Sequence, residues 1–355
     1  LMLGPLLLSL RNGQARPITR PHMGMRVAVI GTGYWGTNHV RTLSALRDGG
    51  ADLDLVVCDV DHDRSHALAE AHDASATTDP HSLLMAEGRV DAVTIATPSP
   101  LHAEQAKMFL SNGIATLVEK PMALSIDESQ HVVDIASEHE TLLSVGHVFR
   151  HHSGVREAAR LVAAGELGPV RLIESVRTAV REPRPDMGAI HALGIHDYDI
   201  FSFIMDDQAP LTIQASATPS YLPGIEDHAV TLLTFSQPDA PHALAVSTVG
   251  WRSRIDGKQR RLRIIGRDAS LDVDYLDHSG LWIHRHPGEQ IGTEWGGTGS
   301  APRERLTLPL GEPALTAELR HFLSLVEKGT QYDPITGGEV GVRGVEMVER
   351  ALSSI

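Results

Sequence analysis

Residues 26–36 read RVAVIGTGYWG. Val27 to Ile30 form an unbroken apolar run, the pattern of a strand covered on both faces rather than one with a wet side. Gly31, Gly33 and Gly36 follow at the spacing Gly-x-Gly-x-x-Gly. Gly31 permits a tight turn, and Gly33 lets backbone approach a pyrophosphate. Gly36 lets the next helix pack close to the sheet, with its N-terminal N–H groups facing the anion. Alone such a motif is weak evidence. Between a strand and a helix-like segment, with an acid closing the second strand, it predicts a dinucleotide site formed by Gly31, Thr32, Gly33, Tyr34, Trp35 and Gly36.

The pattern continues outward from this stretch. Similar apolar runs stand at 53–59 (LDLVVCD), 91–97 (DAVTIAT), 115–120 (ATLVEK) and 142–146 (LLSVG), with helix-like segments between them, such as 81–88 and 125–140. In the latter, Ser125 followed by Glu128 fits a capping box. Alternation of this kind predicts an α/β domain with a doubly wound parallel sheet, the Rossmann arrangement. The acid closing the second run is Asp59, placed to accept hydrogen bonds from an adenosine ribose and to repel a 2′-phosphate. NAD is therefore expected over NADP, with Arg64 close enough to soften the discrimination.

After Phe149 the texture changes to helix-like stretches and then alternating strands joined by short polar or glycine-containing links, such as HAVTLLTFS and RRLRIIG. That predicts a second, α+β domain with an open, mostly antiparallel sheet, closed by helices near 313–328 and 337–354. The expected division is an extension over 1–24, a dinucleotide-binding domain over 25–147, and a substrate-binding and oligomerisation domain over 148–355. The apolar start, LMLGPLLLSL, is too short to span a bilayer, and its arginines follow it rather than precede it, unlike a secretory signal.

Composition narrows the function classes. The chain has 355 residues, 42% of them hydrophobic, and a formal net charge of −14. That length suits two domains. Such an acidic balance argues against nucleic acid or an anionic membrane surface as partner. The single cysteine, Cys58, excludes an intrachain disulfide and suits a reducing cytoplasm.

Two further stretches carry chemistry. Glu119-Lys120-Pro121 ends a parallel strand, where α/β sheets bind ligands, and desolvation there favours the neutral amine of a general base. Pro121 fixes its own φ and helps aim the lysine. Residues 188–199, GAIHALGIHDYD, read as an α-helix at about 100° per residue, place Gly188, Ala192, His196 and Asp199 on one face. Asp199 is then expected to support the His196 imidazole. His191 falls roughly 140° away, so that neither His–His pairing nor a metal site is expected.

In order, GTGYWG, ATPSPLH at 96–102, EKP at 119–121, GHVFR at 146–150 and GIHDYD at 194–199 resemble the glucose–fructose oxidoreductase, inositol dehydrogenase and rhizopine-catabolism (Gfo/Idh/MocA) family. The resemblance runs from Met25 almost to the C-terminus. It implies a Rossmann domain followed by an open-faced sheet domain, assembled into dimers or tetramers. It also implies Lys120 as the catalytic lysine and His196 as the acid/base histidine. Arg150 would touch substrate, with His147 and Asp199 beside it, while Thr97, Pro98, His102 and Glu119 would line the nicotinamide and its ribose. The family usually carries Asp four residues before the histidine, where this chain has Ala192. The stretch RxxRPDMG at 181–188 resembles nucleotide-sugar 3-dehydrogenases.

The reading is an NAD-dependent dehydrogenase or ketoreductase that moves hydride between nicotinamide and a sugar hydroxyl or keto carbon, with C3 of a nucleotide-linked hexosamine as the favoured position. An inositol or free-sugar dehydrogenase would share the same site. Ala192 keeps open a catalytically silent dinucleotide-binding regulator.

Overall fold

A computed structural model describes residues 24–355 except 86, 181, 183–186, 221, 223, 254–256, 286–301 and 310. The expected extension over 1–23 and most of the RxxRPDMG stretch lie outside the described residues. In the first half, β1 (Met25–Ile30), α1 (Tyr34–Asp48), β2 (Leu53–Cys58), α2 (His62–Ala71), β3 (Ser75–Thr77), β4 (Ala92–Ile95), α3 (His102–Leu110), β5 (Ala115–Glu119), α4 (Ile126–Glu138) and β6 (Leu143–Gly146) follow in order. All strands run parallel in the order β3-β2-β1-β4-β5-β6, so β1 and β4 flank the point where the order reverses. Half of the capping box forms as expected: the Ser125 hydroxyl accepts from the Glu128 N–H at 3.2 Å, while the Glu128 carboxylate accepts from the Leu124 N–H at 3.4 Å. The 81–88 segment yields only a 3₁₀ turn, Pro80–Leu84, and the three-residue β3 had no sequence signal.

The second half holds α5 (Ser153–Ala163), β7 (Val170–Thr178), a π-helical turn (Ile190–Gly194) leading into α6 (Ile195–Ile204), and β8 (Thr212–Pro219). Then come β9 (Glu226–Phe235), β10 (Ala243–Gly250), β11 (Gln259–Gly266), β12 (Ala269–Asp274), β13 (Gly280–Arg285), β14 (Arg303–Thr307), α7 (Ala314–Glu327) and α8 (Gly338–Leu352). The second sheet runs β14-β13-β12-β11-β7-β10-β9-β8, and only the β7–β10 pair is parallel. Helices α5, α6 and α8 pack on one face through Val155, Leu161, Ile200, Phe201, Met347 and Val348. Among the described residues, no helix is long and apolar enough to cross a membrane.

The two halves are not divided cleanly along the chain. Helix α7 packs Leu319, Phe322, Leu323 and Leu325 into the same core as Val27, Val29, Leu43 and Leu117. A C-terminal segment thus completes one layer of the first sheet. Beyond β6, Tyr332 bridges in parallel to Leu143, and the Val145 N–H donates to the Thr336 carbonyl at 2.7 Å, which occupies the sheet edge. Asp333 anchors this strap by accepting from Ser144 Oγ at 2.6 Å and pairing with His321 Nε2 at 2.9 Å.

Removing the buried Phe322 ring opens a cavity under the first sheet, and such truncations cost about 3–5 kcal/mol. Phe322→Ala should lower the unfolding free energy from urea titration by that amount. The dinucleotide-binding half should unfold in the same transition, because α7 belongs to its core.

Candidate active site

Each glycine of the first turn has a separate physical reason. Gly31 sits at φ +90°, and a Cβ there would lie 2.9 Å from the Ala96 carbonyl oxygen and from Thr97 Cα. A Cβ on Gly36 would strike the Gly31 carbonyl oxygen, so α1 can approach the turn only without one. A Cβ on Gly33 would meet nothing within 4 Å, leaving open space against the backbone where α1 begins. Backbone N–H groups facing open space at a helix start suit a pyrophosphate. Tyr34 is exposed beside Gly33, and its ring meets Trp35 edge-on with centroids 5.7 Å apart.

Asp59 closes β2 and faces this turn. Its Oδ2 accepts from the Thr32 N–H at 2.7 Å and the Thr32 hydroxyl at 2.6 Å, while Oδ1 accepts from the Asp61 N–H at 2.9 Å and Arg64 Nη2 at 3.1 Å. Burial works to raise the Asp59 pKa, but these donors and the Arg64 charge hold it below its ordinary value. The anion expected at a ribose is therefore in place, and Arg64 is tied to it rather than held free for a phosphate. Residues and space at the turn fit NAD.

At the next strand ends, Thr97 and Pro98 stand at the accessible rim. His102 and Glu119 do not. The His102 ring has Nδ1 2.7 Å from the Pro121 carbonyl oxygen and Nε2 2.8 Å from the Thr97 carbonyl oxygen, so it straps two strand-end loops together. Glu119 faces inward, 3.1 Å from His39 Nε2, and its Oε2 accepts from the Lys120 N–H at 3.2 Å. Both lie beneath the crevice, with polar atoms partnered by protein. Behind them, Glu318 of α7 is buried with neither carboxyl oxygen hydrogen-bonded to protein. Burial, then the charges of Glu119 and Asp333, push its pKa well up.

Lys120 crosses between the halves. It follows β5, its peptide bond to Pro121 is cis, and its Nζ donates to the Ala192 carbonyl at 2.9 Å. That carbonyl lies in the π-helical turn, which brings residues five apart towards one face. His191 and His196 are five apart, and both feel the Lys120 charge. Burial first, then Lys120, lowers the pKa of His191; burial, Lys120 and Arg177 lower that of His196 well below its ordinary value. The expectation that His191 points away assumed uninterrupted α-helical phase. The π turn breaks that phase.

Asp199 turns from His196 to the opposite side. Its Oδ1 accepts from Arg150 Nε at 2.8 Å, and its Oδ2 lies 3.4 Å from His147 Nδ1. Arg150 is 1% exposed and also donates to Asp207 Oδ1 at 2.6 Å and the Ile335 carbonyl at 3.1 Å. Arg150, Asp199 and His147 thus belong to an ion-pair network joining the start of the second domain to α6 and the 330–336 strap. What a sequence reading missed entirely is Arg177 with Asp197. Asp197 takes Arg177 Nε at 3.0 Å, Ser175 Oγ at 2.8 Å and Ser247 Oγ at 2.8 Å, which pins the start of α6 to β7 and β10. The one available signal was an Asp directly after His196.

Residues 25–147 match the oxidoreductase family with an NAD-binding Rossmann fold, and residues 155–272 match the GFO/IDH/MocA C-terminal domain. The chain belongs to this oxidoreductase family. It is 28% identical over 303 residues to a UDP-N-acetylglucosamine 3-dehydrogenase of Acidithiobacillus ferrooxidans, covering 85% of this chain and 88% of that one. A solved structure of that enzyme superposes with a TM-score of 0.77 at 25% identity, covering 94% of this chain and 98% of the other. An inositol 2-dehydrogenase of Saccharopolyspora erythraea is 31% identical over 190 residues, 52% of this chain and 55% of its own. NAD is the cofactor of this fold.

Two outcomes follow from these contacts. Gly33→Ala should leave the melting temperature of the cofactor-free protein unchanged yet weaken NADH binding about tenfold or more, a loss of about 1.4 kcal/mol. Gly36→Ala should lower both, as NADH titration and thermal melts can show. For Asp199, burial opposes ionisation, but Arg150 and His147 outweigh it and hold the pKa down to about 2. Its unfolded value is near 3.9. The pair therefore stabilises the fold above about pH 4 and loses that contribution as pH falls towards 2. Asp199→Asn should lower stability at neutral pH and flatten this acid limb in urea midpoints measured against pH.

Proposed function

We propose that this protein is an NAD-dependent dehydrogenase or ketoreductase of a sugar alcohol carbon, with Lys120 and His196 as the acid–base pair. The carrying observation is the placement of Lys120 Nζ against the π turn beside His196, at the carboxyl end of β5. Ligands of open α/β sheets bind in this crevice. When bound, the nicotinamide supplies the hydride acceptor or donor.

The chain's residues supply the rest. His196 is 7% exposed and kept neutral by burial, Lys120 and Arg177, so its imidazole is ready to take a proton. Lys120, held by the Ala192 carbonyl, stands where its ammonium can stabilise a developing alkoxide while His196 takes the proton. Ala192 takes the place of the family's usual Asp. Its backbone oxygen accepts a hydrogen bond from the lysine.

The favoured substrate is a nucleotide-linked hexosamine oxidised at C3, supported by the similarity along most of the chain to a UDP-N-acetylglucosamine 3-dehydrogenase. The second reading, an inositol dehydrogenase, is favoured by the higher identity to an inositol 2-dehydrogenase over a shorter stretch. We also assign self-association to the outward face of the second sheet, where Val230, Leu232 and Leu244 are exposed.

The test is NADH formation with UDP-N-acetylglucosamine, UDP-glucose, myo-inositol and D-glucose. Preference for the UDP-hexosamine is expected, and turnover of myo-inositol alone would transfer the assignment to the second reading. With the active substrate, Lys120→Met should lower kcat by about 10²–10⁴-fold while NADH affinity changes little. Unaltered turnover would remove Lys120 from the chemistry.

A further inference from the structure

Arg177 ends β7 with 1% exposure, and the acid–base step as described does not require it. Burying a guanidinium is costly unless it is paired and hydrogen-bonded. Here the compensation is specific. Asp197 takes its Nε, and the guanidinium carbon lies 4.3 Å from the Phe149 ring centroid and 4.7 Å from that of Tyr275. The Ser175 hydroxyl, which donates to Asp197, lies 3.2 Å from the Tyr275 hydroxyl, tying that ring to the carboxylate. Nη2 is buried without a hydrogen-bond partner. The cation therefore rests against two touching aromatic rings, whose centroids are 5.0 Å apart and whose planes are tilted by 53°.

Two routes lead from this cation to His196. Phe149, on which the guanidinium stacks, meets the His196 ring edge to face, with centroids 5.2 Å apart and planes at 79°. Asp197, the carboxylate that Arg177 holds, is the residue directly after His196, and its bonds to Ser175 and Ser247 fix the start of α6. The charged and titratable groups acting on His196 are Lys120 after β5, Arg177 on β7, His147 after β6 and Arg260 on β11. The nearby carboxylates are directed elsewhere, Asp197 to the sheet and Asp199 to Arg150 and His147.

We propose that Arg177 is a positioning residue for the reaction: acting through Phe149 and Asp197, it fixes the orientation and the electrostatic surroundings of the His196 ring. This rests on the reading of His196 as part of the acid–base pair. A guanidinium serves where an ammonium would not, because its flat, delocalised cation lies within reach of both rings while its edge pairs with the carboxylate. Substrate need not touch it.

The experiment is an NMR titration of histidine-labelled full-length protein with NAD bound, in which the His196 signal is identified by its loss in His196→Asn. In the unaltered protein the ring should stay neutral far into the acid range. Arg177→Gln should increase the His196 protonation constant about tenfold or more, which is one pKa unit. Arg177→Lys, which retains the charge but loses the stacked fork, should recover part of that shift. Should Arg177→Gln fail to fold, Phe149→Leu decides: it leaves the Arg177–Asp197 pair intact and should raise the constant by a smaller factor. A folded Arg177→Gln, or failing that a folded Phe149→Leu, in which His196 titrates as in the unaltered protein overturns the proposal. A purely structural Arg177 would lower the melting temperature and leave the titration unmoved. Full turnover by His196→Asn on the substrate panel would instead overturn the reading of the site, a separate and distinguishable failure.

Discussion

The hydrogen bond from Lys120 Nζ to the Ala192 carbonyl is the contact on which the site is organised. A largely buried ammonium needs an acceptor, and here the acceptor belongs to the other half of the molecule. The first half sets the lysine's backbone through Glu119, itself braced by His39, and through the His102 strap between the Thr97 and Pro121 carbonyls. The second half must deliver a carbonyl to the same point. It does so with a π turn, whose wider winding also carries His191 and His196 round towards the lysine. Neither half holds this arrangement alone.

Charge is distributed in a layered way around that contact. The chain as a whole is strongly acidic, with a net charge of −14, yet the groups acting on His196 are cationic or neutral. The buried arginines nearby are paired with carboxylates, Arg150 with Asp199 and Asp207 and Arg177 with Asp197. Pairing offsets the cost of burial, and of the two arginines it is Arg177 that acts on the imidazole. The result is a local field that favours an anionic oxygen in a crevice of an otherwise acidic surface.

What could be read in advance was what depends on neighbours in the chain. The glycines at 31, 33 and 36 announce their turn because each role is local, and the continuous runs such as VAVI and LVVC announce strands because both faces are covered. Ser125 with Glu128 announced its helix start for the same reason. The site residues were legible as residue types but not as partners. Arg150 looked like a substrate ligand because nothing near it in sequence shows that Asp199 and Asp207 would enclose it. Asp199 looked like the support of His196 because the two are three residues apart on one helix, and nothing near it in sequence shows that Arg150 and His147 would take its oxygens. The π turn lies before α6 and breaks only the phase that relates His191 to His196. The short β3 and the charge-rich β14 lack the apolar alternation that marks a strand.

Helix α7 gives the chain an order of assembly. Its Leu319, Phe322 and Leu323 cover the first sheet beside Val27 and Leu43, and the strap through Asp333 then closes that sheet's edge beyond β6. During synthesis the N-terminal strands emerge first and α1 covers part of this face, but the part that α7 fills stays uncovered until nearly the whole second domain has left the ribosome. Translation therefore passes through a stage in which the cofactor-binding half exists as an incomplete layer with an exposed apolar surface, the kind of intermediate that chaperones recognise. The two halves cannot be inherited, shuffled or expressed as independent modules cut at residue 147, because the segment that finishes the first is encoded at the end of the second.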